Sequence, residues 1–332
     1  VITRRQLVAA AALLPAAAAL PAALTACAAP PASSSSPSPQ MPPRAASGRL
    51  RTVSRVVASM PVTDGAGVRL SRSIGSPLLP MLDPFLMLDE FRSDNPGDYL
   101  AGFPSHPHRG FETVTYMLAG AMEHRDSMGN EGRLIAGSTQ WMTAGSGIIH
   151  SEMPKQVSGL MHGFQLWVNL PRAQKWTRPR YQDLGPERFR EIEHMDARVR
   201  VVAGEVAREV GPVAGIATAP TMIDVTLPRN GRLDHAVPAA HNAFAYVVEG
   251  VARFGADGPQ LERGQLAVLS PGAELVRATS ETGGRFLLFA GQPLGEPVAR
   301  RGPFVMNTEA ELREAFDDYR AGRLVRERGE QG

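Results

Sequence analysis

The segment Phe103-Pro-Ser-His106-Pro-His108-Arg-Gly-Phe-Glu112-Thr-Val-Thr-Tyr116-Met-Leu-Ala-Gly120 is answered further along by Gln140-Trp-Met-Thr-Ala-Gly145-Ser-Gly147-Ile-Ile-His150-Ser-Glu152. Positions i and i+2 of an extended strand project from one face, so His106 and His108 can converge on a single point. His150 and Glu152 share that spacing and can meet the same point from a second strand. Three imidazoles and one carboxylate suit a divalent first-row metal. With four protein ligands, an octahedral ion keeps two positions open for substrate, water or O2. Each pair alone is a weak signal, because any polar strand can carry His-x-His and the chain holds 8 histidines. The neighbours strengthen the reading: both pairs sit in β-branched runs punctuated by glycine, the pattern of short strands in a small barrel.

Working outward, the chain of 332 residues is 43% apolar, enough for one large core or two smaller ones. Ala243–Val248, Gln265–Leu269 and Arg285–Phe289 read as further strands closed by Gly or Pro. The clearest helix runs from Glu309 to Gly322. Thr308 is its expected N-cap with Glu311 three residues on, and Leu312, Phe316 and Tyr319 share a face. The proline-broken, basic stretch 171–182 reads as a crossover between two β-rich domains. The expected boundaries are 48–170 for a metal-binding domain, 183–325 for a second domain and 326–332 for a tail. His194, His235 and His241 form no His-x-His or His-x-Glu pair, so they read as ordinary surface or loop residues and the second domain as metal-free. His124 and His162 follow strand-like segments in the metal domain, where they either line a cavity or serve structure.

The quoted segments closely resemble the pirin family of bicupin proteins. Leu82-Asp-Pro-Phe-Leu-Met-Leu-Asp-Glu-Phe91, His162-Gly-Phe-Gln-Leu-Trp-Val-Asn-Leu-Pro171 and Gly302-Pro-Phe-Val-Met-Asn-Thr308 resemble it too, in order, over roughly residues 50 to 325. The resemblance implies an all-β fold of two cupin-like barrels with a short C-terminal helix packed on the other domain, and a monomeric chain. It implies one divalent metal held by His106, His108, His150 and Glu152, most often Fe(II), with Zn, Mn, Ni, Co or Cu as substitutes. Cupins in general use a glutamate at the place of Glu112 as a ligand. In pirins that duty resembles one transferred to Glu152, which leaves Glu112 as a partner for a ligand histidine.

Three functional classes stand open, the first two of them implied by the resemblance. The first is a dioxygenase of the quercetin 2,3-dioxygenase type, taking O2 and a flavonol or related phenolic or enediol substrate, with Glu152 removing the hydroxyl proton and carbon monoxide released. The second is a non-catalytic, metal-dependent or redox-sensing module that binds a protein partner; a sequestering lipoprotein without turnover is a third. An incompletely ligated metal favours chemistry over a purely structural site.

The first 27 residues stand apart from the foldable chain. Arg4-Arg5 precedes an uncharged Ala/Leu-rich run that ends at Leu24-Thr-Ala-Cys27. This reads as a secretory signal, with arginines that resemble a twin-arginine motif and an ending that resembles a lipobox. The expectation is an exported bacterial lipoprotein anchored through lipidated Cys27, the sole cysteine, with the Ser/Pro-rich stretch 28–47 as its tether. Lipid labelling that persisted in Cys27→Ser would overturn it. Arg4 and Arg5 are the only charges before Cys27. Of the 35 basic residues, 33 therefore remain beyond the signal, against 33 acidic ones. That balance gives no basic surface for nucleic acid.

Overall fold

A computed structural model describes residues 48–325. The signal, the tether and the tail lie outside those residues. Strands dominate, as expected, and the one α-helix, α1 (Glu309–Arg320), stands near the C-terminus. No described helix is long and apolar enough to cross a membrane.

Two antiparallel barrels lie against one another. In the first, one wall has the order Arg180–Leu184, Thr139–Thr143, Phe111–Ala119, Met161–Asn169, Phe85–Ser93, Val68–Arg72, Met60–Asp64. The opposite wall is a four-stranded sheet ordered Phe103–His108, Ile148–Pro154, Ala121–Asp126, Glu131–Ile135. The second barrel repeats this plan with Gln265–Leu269, Asn242–Phe254, Gly284–Gly291 and Thr221–Leu227 in one wall, and Gly231–Ala236 beside Leu275–Ser280 in the other.

Phe85–Phe91 is buried throughout because both faces of the strand are covered. Leu88 joins the core between the barrels, whereas Met87 and Asp89 face a cavity in the first barrel. Between the barrels, Phe85 meets Phe244 edge-on at 5.0 Å and Phe164 meets Tyr246 at 5.2 Å. Two polar contacts cross this core reciprocally. Tyr116 of the first barrel donates to Asp224 of the second at 2.6 Å, and Tyr246 of the second donates to Glu90 of the first at 2.9 Å.

The expected domain boundaries need two corrections. Val53–Ala58 falls within the first domain by sequence, yet it pairs with Gln265–Leu269 of the second barrel. The fully buried Arg51 fastens that entry, donating to the carbonyls of Ala273, His241 and Pro238 at 2.8–2.9 Å. Conversely, Arg180–Leu184 pairs with Thr139–Thr143, so part of the expected crossover is a strand of the first barrel. Each barrel thus takes an edge strand from beyond its expected limits, and that choice depends on register with a distant partner.

His235 and His241 also depart from expectation, since both are buried. His235 points into the second barrel from Gly231–Ala236, a strand whose Leu233 joins Val276, Ala278 and Phe254 in that barrel's apolar core. This filling replaces the polar interior of the first barrel. Among the described residues, histidines gather as a candidate metal site only in the first.

The C-terminal helix forms as its sequence requires. Thr308 Oγ1 accepts from the Glu311 amide at 3.2 Å, and the Glu311 carboxylate accepts from the Thr308 amide at 2.8 Å. The chain leaves helical geometry after Arg320, two residues before the expected end. Leu312 and Ala315 are buried with Phe304, Met306 and Leu324, and Ile149 of the first barrel packs against this cluster. The helix therefore docks on the first barrel.

Candidate metal centre

Antiparallel pairing of Phe103–His108 with Ile148–Pro154 sets His150 directly opposite His106, and Ile148 opposite His108. The i, i+2 alternation of the first strand then brings His108 to the same place. Ligating nitrogens of His106, His108 and His150 all lie within 4.8 Å of one another.

The tautomers suit metal binding. His106 Nδ1–H donates to the Pro104 carbonyl at 2.8 Å, and His108 Nδ1–H points to the Pro303 carbonyl at 3.4 Å. With Nδ1 protonated in both rings, the two Nε2 lone pairs face each other at 3.0 Å. A cation between them satisfies both. His150 is buried and neither of its ring nitrogens has a protein partner. Burial, then the neighbouring imidazoles, hold His108 and His150 well below the usual histidine range. Both rings stay neutral, the form a metal takes. The donor set therefore fits a divalent ion.

Glu152 stands beside this cluster but outside the group of three. The register slips between His150 and Glu152, so that Glu152 pairs with Phe103 where regular pairing would choose Pro104. A bulge re-aims the side chain. Its buried carboxylate accepts from Thr115 Oγ1 and from Gln165 Nε2, each at 2.8 Å.

Glu112 does not partner a ligand histidine. Its carboxylate accepts from Thr143 Oγ1 at 2.7 Å and Trp141 Nε1 at 3.1 Å, and burial raises its pKa. His162 serves structure, bonded to Glu90 at 2.8 Å in the layer between the barrels. His124 is buried within 5.6 Å of the His150 ring, centroid to centroid, with neither nitrogen partnered.

A cavity of about 600 Å³ opens onto His106 and His108, and its wall includes Gln165, Trp167, Arg300 and Pro303. This volume lies within the range of small-molecule sites. The Arg300 guanidinium lies 4.8 Å from the Trp167 ring centroid and donates to the Leu86 carbonyl at 2.9 Å. Opposite charges on the wall are paired: Arg72 grips Asp89 through two hydrogen bonds of 2.8 and 2.7 Å. Thr115, Gln165, Arg300 and Pro303 carried no signal of their own in the sequence. The last two come from nearly two hundred residues beyond His108.

Two stacked antiparallel barrels, one of them with converging histidines beside a cavity, define a bicupin with one candidate metal centre among the described residues. The Pirin family pattern matches residues 67–168 and the Pirin C-terminal cupin domain matches residues 222–325. A Pseudomonas aeruginosa protein provisionally named a quercetin 2,3-dioxygenase is 49% identical over 83% of this chain and 99% of its own length. A pirin-like protein of Caulobacter vibrioides is 47% identical over 83% and 99%. The crystal structure of a quercetin 2,3-dioxygenase from Acinetobacter baumannii superposes with a TM-score of 0.77 at 33% identity, covering 83% of this chain and 98% of that one. The chain belongs to the pirin family.

Proposed function

We propose that this pirin is a metal-dependent, ring-cleaving dioxygenase of the quercetin 2,3-dioxygenase type, with Fe(II) as its metal and a flavonol or related phenolic or enediol compound as substrate. The observation that carries the reading is the convergence of the His106, His108 and His150 imidazoles beside a cavity of about 600 Å³. The relatives that bear the quercetin 2,3-dioxygenase name support it. His106, His108 and His150 would hold the metal. When bound, it supplies Lewis acidity and a route for electrons between substrate and O2.

The remaining work falls to the chain's own side chains. Trp167, in the cavity wall, offers aromatic surface to a planar substrate. Glu152 takes the substrate hydroxyl proton. Its Oε2 is one hydrogen bond from Gln165, which itself lines the cavity, so a substrate hydroxyl would reach the carboxylate by displacing that amide and hand its proton to Oε2 directly. Thr115 holds the other oxygen and fixes the orientation of the base.

The test is anaerobic loading with Fe(II), addition of quercetin in air, and measurement of carbon monoxide against flavonol loss. Catalytic carbon monoxide that disappears in His150→Ala, together with the bound metal, is the expected result. Full metal occupancy without carbon monoxide would refute the dioxygenase reading.

A further inference from the structure

The structure assigns the C-terminal segment, Ala299 to Leu324, a part in the metal centre: Asp318 on α1 is a positioning residue for His108 and His150, acting through Arg109. This rests on the reading of the three histidines as metal ligands.

Arg109 follows His108 directly and is fully buried. Its Nη1 donates to Asp318 at 2.9 Å, its Nε to the Ser146 carbonyl at 2.6 Å and its Nη2 to the Leu324 carbonyl at 3.4 Å. One guanidinium thus joins the turn after His108, the turn four residues before His150 and the C-terminal end of α1 with the residues that follow it. The backbone repeats the link. Arg109 and Phe304 form a parallel bridge in which the Val305 amide donates to the Arg109 carbonyl at 3.0 Å. The carbonyl of Pro303 faces His108 Nδ1, and an outer hydrogen bond of this kind fixes which nitrogen a ligand imidazole presents to its metal.

A second cation fastens the same seam. Lys175 Nζ donates to the carbonyls of Gly110 and Val305 at 2.8 and 3.0 Å and to Asn169 Oδ1 at 2.8 Å. The approach is close enough to require glycine on the barrel side. Gly110 and Gly147 both have positive φ, and a Cβ on either would strike the carbonyl of Val305 or of Leu324 respectively. Ile149, next to His150, completes the contact by packing on the helix cluster.

The turns that flank both ligand-bearing strands are therefore shaped by a segment that arrives after the second barrel is complete. Linkage is reciprocal: if docking of the segment tightens metal binding, metal binding tightens docking by the same factor. A partner that lifts α1 would then loosen the metal.

The test uses the full chain and Co(II), whose visible bands report ligand geometry. Affinity is measured by competition with a chelator for wild type, Asp318→Ala and Asp318→Asn, with Arg320→Ala as a control on the exposed side of the same helix. The expected outcome is a loss of about tenfold or more in Co(II) affinity for Asp318→Ala with shifted visible bands, a smaller loss for Asp318→Asn and none for Arg320→Ala. Hydrogen exchange in the wild type should slow at 303–306 and 318–324 when Co(II) is added. Wild-type affinity and bands in Asp318→Ala, whatever its melting temperature, would overturn the inference. If that variant does not fold, unchanged exchange in the metal-loaded wild type overturns it instead. Failure of the wild type to bind Co(II) at all would overturn the metal centre itself, and the linkage with it.

Discussion

Glu152 is the residue on which the proposed chemistry turns. A glutamine there keeps the volume and an acceptor for the Thr115 hydroxyl, while Gln165 can reverse its amide to accept from the new one. The barrel should fold as before. What glutamine cannot do is take a proton, so Glu152→Gln should lower kcat for carbon monoxide release by about 10²-fold or more. Metal content measured on the same sample separates the two roles: retained metal leaves the residue as a base, and lost metal makes it a ligand as well. Undiminished turnover would remove it from the mechanism. The histidine pair was legible in the sequence because strand alternation is local. The direction of Glu152 was not, since it follows from a register slip against Phe103.

At the level of single strands, Gly231–Ala236 shows what the second barrel does with its interior. Where the first barrel points histidines at a cavity, this strand packs Leu233 in an apolar core and buries His235 beside it. Burial, and then the nearby His194, bring His235 down to about 4. The unfolded chain takes up this proton near the ordinary value of about 6.5, so between those values the unfolded state holds more protons than the native one. His235 thus contributes stability fully above pH 6.5, and that contribution is lost as pH falls to 4, by about 3 kcal/mol. Urea denaturation at pH 7 and pH 4 should show this loss in the wild type and a smaller one in His235→Leu. An equal acid loss in both would show that His235 does not titrate as its burial requires. The strands around it were readable from apolar runs closed by Gly or Pro. The burial of His235 was not, because a lone histidine in the mixed run Gly231-Arg-Leu-Asp-His-Ala236 looks the same on either face.

For the whole molecule, the reciprocal pairs Tyr116–Asp224 and Tyr246–Glu90 cross the layer where Phe85, Phe164, Phe244 and Phe289 pack. One continuous core between the barrels predicts one cooperative unfolding transition. Tyr116→Phe removes a donor from Asp224, which keeps Arg285, and Tyr246→Phe removes one from Glu90, which keeps His162. Each should cost about 1 kcal/mol and shift the single transition without splitting it. Two separate transitions in the wild type would show that the barrels fold independently.

The sequence by itself determined the strands that carry His106, His108 and His150, the capping box that starts α1 and the family to which the chain is matched. These depend on alternation, spacing and short-range hydrogen bonds, which neighbouring residues dictate. Only the tertiary structure decided that Val53–Ala58 joins the second barrel, that Glu152 lies between Thr115 and Gln165, that Pro303 reaches back to His108 and that Asp318 reaches back to Arg109. Those choices rest on register and docking between segments up to some two hundred residues apart, where a contact is selected by the combined burial of two surfaces and leaves no local mark on either one.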